Sequence, residues 1–566
     1  MKRNMSLWKK GVIGVIACGL LTTLTFASFP VTGTETVSAA SAKAGYDVSG
    51  ATVTVSAEKM KTSGAQAAIR EAVNYAASKA GAANPYTVKV PSGTYDLDGC
   101  IYLGNNIRLD LTGVVLKETK TSSNMLVLDN AHNTKAYGDG TVGNSTVVGG
   151  TFMGNDTNTS SMIRMAHAKN ITFDGCTFSG GGCAHQMEVA SINGFTVKNC
   201  TFRDAKGNGS QEKQEALQLD IPCSTYVFKE VELDGTPMKN VTITGCTFRN
   251  VLRGLGTHSM LTGVYHENIK ITDNIFENVD GECIIGLNYK NCKITGNKIR
   301  NCGAGILFQN FKPGVKAIYS TIYDGSVAVN KPVDNHANVT IAKNDITLSS
   351  GGHPDEAVGI KVYGYELKKN TKATGIGSKD TIPKGDYGVS GVTIENNKIT
   401  TCGHGIHLLH VSNAQLSGNT IKNNKKNSQK DGIFIEFGSK GLTISKNTIS
   451  AASRYGIFLK DKSVAKNITG NKISGAGSFG IGLYEQSEVS GSIAKNTVLN
   501  TKSHGISISK KCYVKSINNN IVKGCGEYPI FINTTSKKTI VVKNNRLQAG
   551  KNNKKIVVLN GKVKES

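Results

Sequence analysis

Carboxylates, imidazoles and a guanidinium recur in four short segments between His185 and Asn288: HQMEVAS from His185, EALQLDI from Glu215, RGLGTHS from Arg253 and ECIIGLN from Glu282. Each fills the same slot of a repeating unit, and that slot elsewhere holds bland residues, as in YGIFLKD from Tyr455 or HGISISK from His504. Here it collects His185, Glu188, Glu215, Gln218, Asp220, Arg253, His258 and Glu282, the groups from which acid–base chemistry could be assembled.

If the isoleucine of each GI strand points inward, the residues one and three places later point outward, because strand side chains alternate. The first outward column then reads Arg164, Glu188, Gln218, Gly256, Ile285, Leu307, Lys361, His407 and Phe434. The second reads Ala166, Ala190, Asp220, His258, Leu287, Gln309, Tyr363, Leu409 and Glu436. Neighbours in a column belong to adjacent rungs, so Arg164 is expected to meet Glu188, and Asp220 to meet His258. Glu188 and Asp220 should lie about 8 Å apart, inside the roughly 6.5–9.5 Å window of an inverting glycosidase pair.

Two chemistries fit these residues. As a hydrolase, Glu188 and Asp220 would divide the acid and base roles. As a lyase, His258 oriented by Asp220 would remove the proton beside a uronate while Arg164 or Arg253 neutralises the carboxylate. Glu215, Arg253 and Glu282 share a further column with His185 at its start; they either line a cleft rim or form a buried Glu–Arg–Glu stack that fixes register. Arg164, His185, Gln218, Glu282, Asn288, Tyr226 and Tyr363 are the expected sugar contacts. HGIHLLH, from His404 to His410, alternates faces on a strand, so only His407 points out; no metal site is read there. The reading requires no cofactor and leaves a use of Ca2+ open.

These residues need a scaffold, and the repeat supplies it. The last polar residue before a β-branched or aromatic pair falls at Gly150, Cys176, Cys200, Cys246, Asn274, Asn297, Asn344, Asn397, Asn419, Asn447, Asn471, Asn496, Asn520 and Asn545. The commonest interval is near 24 residues, and strands such as NVTITGCTF and NIKITDNIF alternate strictly, which reads as one turn of a parallel β-solenoid per unit. Short strands of this kind cannot bury an apolar face alone, but stacked about 4.8 Å apart they share a continuous core. The Asn column would satisfy turn carbonyls by bonding each amide to the next. Cys176, Cys200 and Cys246 occupy the same position and read as buried free thiols.

The unit, with its TITGN turn and following GI strand, resembles the right-handed parallel β-helix repeat of the pectate-lyase-like superfamily. The entry AIREAVNYAASKA…TVKVPSGTYDL…IYLGNNIRLDL is similar to the N-terminal part of its polygalacturonase-like members. That resemblance implies an all-β, single-stranded β-helix with an N-terminal capping helix, and an active site on the outer face of the GI-strand sheet. The triplet Gly403-His404-Gly405 is similar to the GHG of polygalacturonases, but the NTD, DD and RIK companions are absent, as are the RxPxxR and WIDH signatures of pectate lyases. No catalytic role is carried over from either.

Residues 1–42 read as a Gram-positive secretory signal, with a basic start, an apolar run from Gly11 to Phe29 and small-residue cleavage sites; an uncleaved anchor is the alternative. The expected organisation continues with a cap over 43–90 containing a helix over 62–80, a β-helix over 91–548, and an end piece over 549–566. Insertions over 222–239, 311–337 and 364–390 all follow a GI strand, so they emerge at one edge of one sheet, where binding surfaces of repeat proteins gather. They hold Tyr226, Phe228, Phe311, Tyr319, Tyr323, Tyr365 and Tyr387.

The formal net charge of +25 falls to +22 once residues 1–42 are removed, which favours anionic partners. No nucleic-acid motif is present, and no later stretch is apolar enough to span a bilayer. The expectation is a secreted or cell-surface-associated, carbohydrate-active protein whose partner is a polysaccharide. The leading expectation is a polysaccharide lyase or glycosidase acting in a groove on the outer face of the GI-strand sheet; the alternative is a non-catalytic glycan- or cell-wall-binding adhesin. Exposure separates these readings: an open groove at Glu188, Asp220 and His258 favours the enzyme, and loops lying flat over them favour the adhesin.

Overall fold

The computed structural model describes residues 45–565, except 122, 129–135, 139–141, 183, 206–213, 224–230, 258–260, 262, 311–333, 350–356, 365–388 and 425–429. Strands of successive turns pair in parallel, and each turn adds a strand to each stacked column. One column forms a separate sheet of 16 strands; the other two are joined into a sheet of 34. They are joined because strands such as Ile163–Asp174 and Met187–Lys198 run through a bend, where His167 and Ser191 take φ of 52° and 49°.

The core is a set of columns. Phe152, Phe178, Phe202, Phe248 and Phe276 stack face to face with centroids 5.4, 4.8, 4.8 and 4.8 Å apart, one ring per rung. Isoleucines 299, 346, 399 and 421 continue the column. The Asn column works as the repeat suggested: Nδ2 of Asn274, Asn297, Asn344, Asn397, Asn419, Asn447, Asn471, Asn496 and Asn520 each donates to Oδ1 of the next Asn at 2.9–3.0 Å. The same Oδ1 accepts a backbone N–H, and the same amide reaches an isoleucine carbonyl, as Asn397 does with Ile341 at 2.9 Å. Cys246 hands the ladder over, its N–H donating to Asn274 Oδ1 at 2.9 Å, and the cysteines among the described residues are free.

The glycine of each GI pair has a steric cause. A Cβ on Gly456 would stand 2.5 Å from Ile473 Cγ2 and 2.6 Å from the carbonyl of Gly480, and the equivalent glycines of neighbouring rungs are as confined.

Two boundaries differ from the sequence reading. The helix expected over 62–80 runs from Ala65 to Lys79, Gly64 standing before it with φ 84°, and a separate short helix that the sequence reading did not include, Ala57–Thr62, precedes it. The second helix buries the Ala65, Ala68, Ile69, Ala72, Val73 and Ala76 stripe against strands Thr52–Val55, Tyr86–Lys89 and Ile101–Leu103. At the other end, strands Ile556–Asn560 and Lys562–Glu565 pair onto Ile530–Asn533 and Thr539–Lys543, so rungs continue past residue 548. Residues 1–42 lie outside the described residues. No helix among those described is long and apolar enough to cross a membrane.

Candidate functional site

The GI strands set the outward columns in the expected register. Arg164 pairs with Glu188 and Glu188 with Gln218; Leu307 pairs with Lys361, Lys361 with His407 and His407 with Phe434. Ala190 pairs with Asp220, and Gln309, Tyr363, Leu409 and Glu436 follow one another in the second column.

In the first cluster every described acid has an internal partner. Glu188 Oε2 lies 3.1 Å from Arg164 Nε and accepts the Ser161 hydroxyl at 2.8 Å. Asp220 is 0% exposed; its Oδ1 accepts the N–H of Ile221 at 3.1 Å and its Oδ2 the amide of Gln218 at 2.5 Å. Arg253 bridges two rungs, with Nη1 3.4 Å from Glu215 Oε1 and Nη2 3.0 Å from Glu282 Oε2. The three form a Glu–Arg–Glu stack across the rungs, fully buried at Glu215 and half-buried at Arg253 and Glu282. His185 Nδ1 bonds the Glu215 carbonyl at 2.7 Å. Behind them, burial pushes the Tyr289 phenol up, and its hydroxyl bonds Thr257 Oγ1 at 2.8 Å.

The outer face above this cluster is covered. Ala166 and Ala190 are packed under Ile221, Cys223, Leu261 and Val264, with Val231 against them. The covering segment is tied down by the Tyr137 hydroxyl donating to the Pro237 carbonyl at 2.7 Å and the Ser191 hydroxyl donating to that of Thr236 at 2.7 Å. Asn288, expected to contact sugar, is buried, and its amide donates to the carbonyls of Leu261 at 3.1 Å and Val264 at 3.3 Å, pinning that turn. Glu188, Gln218 and Asp220 are 8%, 4% and 0% exposed, and apolar residues following Asp220 fold back onto the second column, so on the exposure that separates the two readings these three stand on the covered side. His258, Tyr226 and the other six loop aromatics named above lie outside the described residues.

A second cluster stands about four rungs, or ~19 Å, further along the same face. The Tyr363 hydroxyl lies 3.1 Å from His407 Nδ1, and His407 Nε2 lies 2.9 Å from Glu436 Oε1. Glu436 Oε2 is 3.5 Å from Lys460, which also lies 3.3 Å from Asp461. Burial, with Glu436 behind it, raises the Tyr363 phenol, which keeps it a proton donor towards Nδ1; Glu436 then accepts from Nε2–H. Beside it, Asp431 takes a bidentate contact from Arg454, Nε at 2.9 Å and Nη2 at 2.5 Å, and its N–H donates to His404 Nδ1 at 3.1 Å. Burial holds His404 well below its ordinary pKa. Burial raises Asp461 to about 7, with a hydrogen bond to Glu485 adding to it.

Reading the three histidines of one strand as a set missed this chain, because the partners of His407 are 44 and 29 residues away. The outward columns contained all three members and could have found it. Further on, Tyr455, Phe479, His504 and Tyr528 stack at 5.0, 5.2 and 5.6 Å within 19° of parallel. Their faces are occupied by one another, so they offer edges and hydroxyls rather than flat platforms.

A family model described as a right handed beta helix region matches residues 369–492. Among curated proteins, the plasmin and fibronectin-binding protein A of Streptococcus pneumoniae is 23% identical over 414 residues, covering 67% of this chain. The match spans only 54% of that relative's length. Among solved structures, the Streptococcus pneumoniae surface protein and adhesin PfbA aligns with 21% identity and a TM-score of 0.48, over 70% of this chain and 95% of that one. A hyperthermoactive exopolygalacturonase from Thermotoga maritima aligns with 13% identity and a TM-score of 0.39, over 62% and 83% of the two chains. The family match and the stacked parallel sheets together identify the chain as a right-handed parallel β-helix repeat protein.

Proposed function

We propose that this chain is an extracellular or cell-surface β-helix that binds a polysaccharide along the outer face of its GI-strand sheet, as an adhesin. The observation that carries this reading is the state of the first cluster. Asp220 and Glu215 are fully buried and Glu188 nearly so; Glu215 and Glu188 each pair with an arginine of a neighbouring rung, and Asp220 accepts from Gln218 and Ile221 of its own segment. Carboxylates so buried and engaged are turned into the fold and away from a glycosidic oxygen, and the two arginine pairs tie rung to rung. The signal-like residues 1–42 and the Streptococcus relative, a plasmin and fibronectin-binding protein, support the placement and the class. The part-exposed Tyr363, Tyr455, Phe479 and Tyr528, with Arg454 4.8 Å over the Tyr455 ring, supply contacts for a sugar chain lying across the rungs.

An enzymatic reading keeps one observation of its own, the hydrogen-bonded order phenol–imidazole–carboxylate at Tyr363, His407 and Glu436. It places any acid–base chemistry there and not at Glu188 and Asp220.

The test uses residues 43–566 on immobilised acidic and neutral polysaccharides, with and without Ca2+, while reducing ends and absorbance near 235 nm are followed. Binding without turnover, unchanged in Asp220→Asn, is expected. Turnover abolished by Asp220→Asn in a folded, binding-competent variant overturns the adhesin reading.

A further inference from the structure

The solvent face of the 16-stranded sheet changes character along the solenoid. In the earlier rungs acids stand among its basic residues: Arg203 pairs with Asp204 at 3.0 Å, and Asp345 takes Arg300 at 2.6 Å and Lys398 at 3.9 Å. After Glu395 this face and its Asn turn carry no acid: the strands read KITT, TIKN, TIS, KIS, TVL, IVK and RL. Six successive rungs each carry a basic residue: Lys446 and Lys495 in the turn before the strand, Lys472 and Arg546 at its first residue, and Lys422 and Lys523 at its third. All six are exposed, and none makes an ion pair among the described residues. The rung spacing sets them in a strip about 24 Å long, roughly one charge per rung.

Lys446 and Lys495 add a conformational point. Both occupy the turn position just before the ladder Asn with φ of 56°, as Lys343 does ahead of Asn344; the other ladder rungs fill it with Gly, Asn or Asp.

We infer that this strip is a docking surface for an extended polyanion with a phosphodiester backbone, such as the phosphate polymers of a cell envelope. Three features argue for that chemistry. Ammonium groups act as point charges that suit single phosphate oxygens, and five of the six cations are lysines. Between them the face carries exposed hydroxyls at Thr420 and Thr448, hydrogen-bond donors for backbone oxygens. It carries no aromatic ring, so sugar or base faces have nothing to stack on and recognition falls to the charged backbone. The strip belongs to a different sheet from the GI-strand face, so it would anchor the chain while the other face stays available.

The experiment measures binding of residues 43–566 to synthetic poly(glycerol phosphate), with dextran, polygalacturonate and single-stranded DNA as the other arms, at low and high salt. The triple variant Lys446→Gln, Lys472→Gln, Lys495→Gln changes exposed side chains only, and its circular dichroism and melting are recorded alongside. Salt-sensitive binding to poly(glycerol phosphate) that weakens at least about 10-fold in the triple variant is the expected result. No binding, or binding unchanged in the folded triple variant, overturns the proposal. Equal or tighter binding to polygalacturonate or DNA overturns the assignment of partner.

Discussion

Replacing Arg253 by methionine is the sharpest perturbation of the first cluster. The guanidinium sits between Glu215 and Glu282, 3.4 Å and 3.0 Å from their carboxylate oxygens. At an effective dielectric near 20, unit charges at about 3–4 Å attract by ~4–5 kcal/mol, and that attraction offsets the desolvation of Glu215. Glu282, 18% exposed at its side chain, can turn to water when the cation is gone; Glu215, at 0%, cannot. Arg253→Met should therefore cost about 3–5 kcal/mol, the range for removing one partner of a buried ion pair. Replacing Glu215 and Glu282 by leucine as well should recover most of the loss, because the uncompensated charge leaves with them. Urea unfolding followed by far-UV circular dichroism reads both, since the chain's one tryptophan, Trp8, belongs to the signal-like segment. A loss of Arg253→Met under about 0.5 kcal/mol, accompanied by loss of polysaccharide binding, would refute the reasoning and return Arg253 to the rim of a cleft.

Three further outcomes are expected. Asn397→Asp puts a carboxylate where an amide donates to Ile341 and Asn419, both at 2.9 Å, and should lower the unfolding free energy by at least about 3 kcal/mol; Asn397→Cys should cost less, since Cys246 fills the same position. Gly456→Ala should destabilise by about 1–3 kcal/mol in the same assay, through overlap with Ile473 and Gly480. Burial raises Glu118 from its ordinary 4.5 to about 7, despite hydrogen bonds from Asn155 and Asn158. The folded chain thus holds a proton that the unfolded chain has released, so stability should fall as pH rises from about 4.5 to 7, and Glu118→Gln should flatten that slope in melts recorded across the range.

The solenoid was legible because its period is written in single residues. The Asn ladder, the GI glycines and the Phe column each repeat at the same phase, and the outward columns follow from alternation alone. The burial of Asp220 was not legible: it depends on where Ile221, Cys223, Leu261 and Val264 come to rest, and no local period governs that return. The Glu215–Arg253–Glu282 column was readable as a column, but its direction turned on the bend before the strand. The Tyr363–His407–Glu436 chain was hidden for a related reason. Its members lie on three rungs separated by insertions and were visible only when the columns were read across the repeat.

The central claim is that Glu188, Asp220 and Arg253 hold the β-helix together while the outer face binds a polysaccharide. The most direct measurement compares wild type and Asp220→Asn, both checked for folding, for turnover and binding on one panel of acidic and neutral polysaccharides. The account predicts retained binding and no turnover lost with Asp220. Reducing ends or 235 nm absorbance produced by the wild type and abolished in Asp220→Asn, with binding intact, would contradict it.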